Sequence, residues 1–279
     1  MKRLCIIAVA MLISVVALGQ VPMTGAGLSK PTAAGGGCAA ATTFLAATSG
    51  LSGNYQTQYT NLICGLNTDG VLAKLDTLYV FKTNTIATAK LNLVQRNYDI
   101  TSPNGDPTFT ANTNIQNPSN KYFDSHFDAS TATSPNFVQN SACMFNWNTT
   151  NAQVTANGAQ MGLVTGGATS LTNRDGSDLL QSRINTSTSL AISNADASGL
   201  WLQNRTSSSN VDIYHNGASF AAGNSNTSAA VQSSDMTFFV GSNFDTVSTL
   251  VAGGWGGTLS STDVSNLNTR LNTFLTNVP

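Results

Sequence analysis

Val211-Asp-Ile-Tyr-His-Asn-Gly-Ala-Ser-Phe220 decides the fold class. Val211 and Ile213 alternate with Asp212 and Tyr214, the two-residue period of a β-strand. Asn216-Gly217 then supplies the positive φ angles of a tight hairpin turn, and a second strand follows. The same alternation recurs on both sides of this hairpin. Leu190 and Ile192, Leu200 and Leu202, and Met236, Phe238 and Val240 carry it, as do Cys143, Phe145 and Trp147 and, earlier, Leu91 and Leu93. Leu78-Tyr79-Val80-Phe81 is a compact apolar run, and Asn104-Gly105, Asn157-Gly158 and Asp175-Gly176 add further turns. Short strands joined by Asn/Asp-Gly turns, with no helices between them, predict an antiparallel sandwich or barrel, not an α/β sheet. No repeat of fixed period is visible, which argues against a propeller or β-helix.

The flanks differ in pattern. Phe44, Leu45, Tyr55, Tyr59, Leu62 and Ile63 recur at helical spacing, and Val71, Leu72 and Leu75 continue it. Two or three short helices are therefore expected over 38–76, ahead of a β-sandwich over 77–279. At the far end Ser260 and Asp263 stand in capping-box spacing. Val264, Leu267, Leu271, Phe274, Leu275 and Val278 then form one apolar stripe, predicting a long helix packed on the sandwich. Residues 20–37 are rich in Gly, Ala and Pro and read as a flexible leader. Before them, Lys2 and Arg3 precede an apolar run from Leu4 to Leu18 that ends in Ala17-Leu18-Gly19. That pattern describes a secretory signal peptide over 1–19. An uncleaved anchor, the one route to a membrane, and initiation at Met23 are the alternatives.

Composition narrows the chemistry. Charged residues make up 9% of the chain and hydrophobic ones 41%, whereas ordinary soluble domains carry roughly 25% charged residues. Ser, Thr, Asn, Gln and Gly fill the gap. The net charge is −1 with no basic stripe, so nucleic acid is not an expected partner. All 13 acidic residues are Asp; no mechanism that needs a Glu acid, base or nucleophile is available. Cleavage of the signal would remove Cys5 and leave Cys38, Cys64 and Cys143. A Cys38–Cys64 bridge suits an oxidising compartment, while Cys143, in phase with Phe145 and Trp147, reads as a buried thiol.

Asp69 to Phe81, the Tyr214–Gly217 hairpin end and Gly257 to Asp263 together resemble the concanavalin A-like lectin/glucanase superfamily. The similarity is to the laminin-G-like modules encoded in phages, prophages and bacterial genomes, over residues 60–279. It implies a two-sheet jelly roll with glycan binding at a concave sheet or loop edge, commonly in a tail or fibre protein. The glucanase branch uses paired Glu residues, which this chain lacks. The expectation is thus a non-enzymatic binding or adhesion module for surface polysaccharide, secreted or virion-associated. The alternative is a structural part of a virion or extracellular assembly, partnered by other proteins there and holding no ligand of its own. A polysaccharide-degrading enzyme using Asp is a third reading.

Sugars offer apolar faces and hydroxyls, so an aromatic platform with polar neighbours is the pattern to seek. Trp201 falls out of phase with Leu200 and Leu202, and Tyr214 out of phase with Val211 and Ile213. These two, with Tyr122, are the candidate ligand-binding residues. Asp175 and Asp178, in Asn173-Arg-Asp-Gly-Ser-Asp178, cluster oxygen atoms that Ca²⁺ would accept, although a plain hairpin turn has the same composition. Asp124 and Asp128, flanking His126, form a second such group. No catalytic residue and no other cofactor is expected.

Overall fold

The computed structural model describes residues 37–117, 121–154, 158–163, 167–240 and 248–279. The signal-peptide segment, residues 20–36 of the leader and Asn157 of one predicted turn lie outside them. Two helices open the described chain, α1 (Ala39–Ala46) and α2 (Gly53–Thr68), followed by a 3₁₀ turn at Leu72–Lys74 and strand β1 (Leu75–Val80). A single helical turn, α3 (Ile86–Ala89), precedes β2 (Thr108–Thr110), β3 (Asn114–Gln116), β4 (Phe123–Asp124) and β5 (Ala142–Asn148). Then come β6 (Ala159–Leu163), β7 (Ser170–Thr172), β8 (Leu179–Arg183), β9 (Leu190–Ser193), β10 (Gly199–Arg205), β11 (Asn210–His215) and β12 (Ala218–Ser225). Strands β13 (Met236–Val240) and β14 (Thr249–Gly256) lead to the last helix, α4 (Ser261–Asn277).

The strands form two antiparallel sheets. The larger runs β12-β11-β10-β5-β14-β3-β2, with β1 also paired to β14; the smaller runs β4-β13-β6-β7-β8-β9. Asn216 and Gly217 adopt φ of 51° and 82°, as the hairpin sequence predicts. In the β7–β8 turn the positive φ falls on Asp178, at 60°, and not on the predicted Gly176.

Both faces of the large sheet are covered at its central strands, β1, β5, β10 and β14. On one, Met144, Trp201, Val211, Ile213 and Trp255 meet Met161, Leu171, Leu180 and Phe238 of the small sheet. On the other, Cys143, Phe145, Leu200, Leu202 and Tyr214 meet Phe44, Tyr59, Leu267, Leu271 and Phe274 from the helices. The molecule is therefore a sandwich with a third, helical layer. Cys38, the N-cap of α1, is bonded to Cys64 in α2 with a Cα–Cα distance of 5.6 Å. Cys143 lies buried beneath that layer, and burial pushes its thiol pKa up.

Two local solutions explain the middle of the large sheet. Gly253 and Gly254 let β14 sit tightly among its neighbours: a Cβ on Gly253 would overlap the Phe238 ring, and one on Gly254 the Thr77 carbonyl. Leu91 and Leu93 alternate in sequence but form no strand. Between them the Asn92 side chain replaces a neighbouring strand, its Oδ1 accepting from Leu78 N at 3.0 Å and its Nδ2 donating to Asp76 O at 3.2 Å. Helix α4 begins with the predicted capping box, Asp263 N donating to Ser260 Oγ and Ser260 N to Asp263 Oδ2. Among the described residues no helix is long and apolar enough to cross a membrane.

Candidate functional site

The aromatic residues singled out from sequence do not share a surface. Trp201 pairs with His215 across β10–β11, and Leu202 with Tyr214, so Trp201 and Tyr214 project from opposite faces of the sheet. Trp201 is fully buried. Its ring stacks on His215 at 4.0 Å, Phe220 packs edge-on against it at 4.9 Å, and its Nε1 donates to Ser198 O at 3.0 Å. Tyr214 is buried in the helix-facing core. Tyr122 is half-buried just before β4. The surface position expected for Trp201 and Tyr214 is corrected: the helical layer covers Tyr214, and the inter-sheet core with His215 and Phe220 covers Trp201.

Asp175 and Asp178 sit in the β7–β8 turn with their oxygens already engaged. Asp175 accepts from Ser177 N, Leu179 N and Gln181 Nε2 at 2.8–3.0 Å. Asp178 accepts from Arg174 and Gln153, the guanidinium standing where a cation would stand. This is turn chemistry, and it displaces the Ca²⁺ reading of the pair.

His126 does gather carboxylates, but Asp128 is not its near partner. Ser125 Oγ donates to Met236 O at 2.6 Å and accepts from Phe127 N, pinning the turn after β4 onto β13. Phe127 turns inward beside Trp255. His126, at φ 57°, turns outward. Its Nδ1 lies 3.7 Å from Asp124 Oδ1 and 3.9 Å from Asp235 Oδ2, and its Nε2 is 2.8 Å from Thr101 Oγ1. Desolvation, together with the charges of Asp124 and Asp128, raises the Asp235 pKa against the opposing pull of His126. Asp128 itself caps the next turn, accepting from Ser130 N and Ser233 Oγ.

A cleft of about 180 Å³ opens beside this turn, lined by Asp76, Gln95, Tyr98, Phe127, Thr133 and Asn136 among others. Asp76 occupies an irregularity in the β1–β14 register. Its carboxylate accepts from Asn136 N at 2.7 Å and Phe137 N at 2.8 Å. Burial raises its pKa, and those two bonds offset part of the rise. Tyr98 packs edge-to-face on Phe127 at 5.0 Å. Burial, then the nearby Asp76 charge, raises its phenol pKa. Among the described residues no Lys or Arg lines this cleft. Carboxylate, amides, hydroxyls and aromatic edges thus converge at one end of the sandwich. A second cleft, about 500 Å³ between Gly167, Arg183 and Gln232, has no aromatic lining.

No protein-family model and no curated protein sequence matches the chain. Solved structures do match. A Trypanosoma rangeli sialidase carrying 2,3-difluorosialic acid aligns at TM-score 0.50 and 10% identity, over 72% of this chain and 33% of its own. The likeness is one of fold. Domain 4 of a Geobacillus stearothermophilus GH43 extracellular arabinanase, solved with arabinotriose, aligns at TM-score 0.40 and 15% identity over 70% of this chain and 98% of that domain. A botulinum neurotoxin serotype D binding domain aligns at TM-score 0.47 and 9% identity, over 71% and 51%. The chain spans 33–40% of the length of the sialidases it matches.

Two site features escape sequence reasoning. Asp235 reaches His126 only because β4 pairs with β13, a long-range register that no local pattern encodes. Asp76 and Asn136 likewise meet only through the fold, 60 residues apart in sequence. The legible signal was Phe123-Asp-Ser-His-Phe127, where polar residues interrupt two aromatic anchors.

Proposed function

We propose that this protein is an exported carbohydrate-binding module that takes one neutral sugar unit in the Asp76–Tyr98–Asn136 cleft. The observation that carries the reading is the lining of that cleft: one buried carboxylate, amide and hydroxyl groups and aromatic edges, at the loop end of a two-sheet sandwich. Such a set matches hydroxyls and an apolar sugar face together. With Asp76 present and no cation on the walls among the described residues, an acidic sugar such as sialic acid is disfavoured, so the ligand class differs from that of the sialidase of similar fold. Most glycoside hydrolases use two carboxyl groups across the bond; among the described residues the walls hold one, Asp76, which favours binding without turnover. Membership of the concanavalin A-like superfamily belongs to the same proposal, supported by the two-sheet antiparallel sandwich. Export is supported by the Cys38–Cys64 bridge, a bond that persists in oxidising compartments.

Binding to an array of neutral and sialylated oligosaccharides tests this. Neutral glycans are expected to bind, with Gln95→Ala and Tyr98→Ala each weakening binding at least tenfold, while the Gln95→Ala protein, changed at an exposed side chain, keeps the wild-type unfolding midpoint. Binding that survives both changes, or preference for sialylated glycans, overturns the assignment. Absence of any binding, with the protein recovered in assembled particles, transfers the chain to the structural role.

A further inference from the structure

We infer that Asp124, His126 and Asp235 form a binding site for one divalent transition-metal ion of the Zn²⁺ type. The three side chains offer one imidazole nitrogen and two carboxylate oxygens, all within 4.8 Å of one another. Mixed nitrogen and oxygen ligands suit Zn²⁺ over Ca²⁺, which takes oxygen ligands in larger number. The contacts from His126 Nδ1, 3.7 and 3.9 Å, are too long for hydrogen bonds. They are a few tenths of an ångström wider than the roughly 3.3–3.4 Å between ligands bonded at about 2.0–2.1 Å in a tetrahedral zinc site. The widest separation within the cluster is up to 4.8 Å, so metal binding also requires the half-exposed Asp235 side chain to swing towards Asp124.

Three further observations point the same way. Thr101 Oγ1 holds His126 Nε2 at 2.8 Å from outside the cluster. A hydrogen bond on the far ring nitrogen is how metal-binding imidazoles are oriented, and in the tautomer whose Nε2–H donates to Thr101 it frees Nδ1 to bind a metal between the carboxylates. Asp124 is only 8% exposed, yet among the described residues no Lys or Arg forms an ion pair with it or with Asp235. A buried carboxylate aimed at a second one calls for a cation between them. Finally, the ring is carried on a rigid support: Ser125 is bonded to β13, and Asp124 Oδ1 accepts from His126 N at 2.9 Å. With three protein ligands, a fourth position faces solvent on the exposed side of His126 and is open to water or a ligand oxygen.

Calorimetric titration of the full chain with ZnCl₂, and separately with CaCl₂, tests the site. One Zn²⁺ per chain is expected, in clear preference to Ca²⁺. His126→Asn, chosen because Asn tolerates the left-handed turn, and the half-exposed Asp235→Asn should each weaken Zn²⁺ at least tenfold. Asp175→Asn should leave it unchanged. In histidine-ring ¹⁵N spectra of the folded wild type, Zn²⁺ should move the His126 Nδ1 resonance and not those of His215. No Zn²⁺ binding, binding indifferent to both variants, or a preference for Ca²⁺ overturns the inference.

Discussion

Trp201 and Tyr214 stand one step apart in register and face opposite layers, so each is held by its own set of neighbours. Trp201 has His215 beneath its plane and Phe220 on its edge, and its indole proton is satisfied by Ser198 O. Phe220, 39% exposed, is the part of this trio that solvent reaches. Removing a fully buried indole leaves a cavity, a loss of about 3–5 kcal/mol. Removing a half-exposed ring forfeits only part of its burial, about 1 kcal/mol or less. Urea unfolding should therefore show Trp201→Ala far less stable than Phe220→Ala. Similar midpoints for the two variants would refute the packing described for this edge.

At the scale of elements, α4 shows how a short sequence signature becomes a fixed structure. Ser260 and Asp263 satisfy each other's backbone donors, and Lys74 adds an ion pair at 2.6 Å from below. Burial pushes the Asp263 pKa up, but bonds from Lys74 and Ser260 outweigh it and hold the carboxyl below its ordinary value. A depressed folded-state pKa stabilises above the unfolded value, near about pH 4, and that stability is lost as pH falls through the folded value. Asp263→Asn should thus cost about 1 kcal/mol at neutral pH, the usual worth of a cap. The cost should shrink towards zero as pH falls through the depressed folded-state value, since the carboxyl is then uncharged like the amide that replaces it. Stability measured from pH 7 to pH 2.5 checks the sign; a constant gap at all pH values would show that the charge is idle. Other elements were legible for equally local reasons: the Asn216-Gly217 hairpin, the helices before β1 and the two-sheet class. Leu91 and Leu93 misled because an Asn side chain, not a strand, partners β1 there. The aromatic platform misled because alternation implies one wet face only when one face is uncovered, and α1, α2 and α4 cover it. The Asp124–His126–Asp235 cluster was half-visible: two members are two residues apart, while the third arrives through β4–β13 pairing.

Across the whole molecule, the two cores share one sheet. Successive residues of β5 alternate between them: Cys143 and Phe145 towards the helices, Ala142 and Met144 towards the small sheet. Lifting the helices would bare Leu78, Val80, Leu200 and Leu202 on strands whose other face still packs Tyr79 and Trp201. Neither layer can leave without exposing the common sheet, and the cost scales with that apolar area. The Cys38–Cys64 bond further ties α1 to α2 within the helical layer. One cooperative transition is the consequence. Cys143 reports on it directly: its thiol is buried at the helix–sheet interface, and burial raises its pKa, so it is inert until that interface opens. Labelling of Cys143 with an alkylating probe across a urea series, read by mass spectrometry of its own peptide, should give the same midpoint as tryptophan fluorescence. The three tryptophans straddle both interfaces, Trp201 and Trp255 in the inter-sheet core and Trp147 against the helices. A Cys143 midpoint well below the fluorescence midpoint would mean that the helical layer peels off as a unit. The sandwich would then be the independent domain, and the helices an accessory to it.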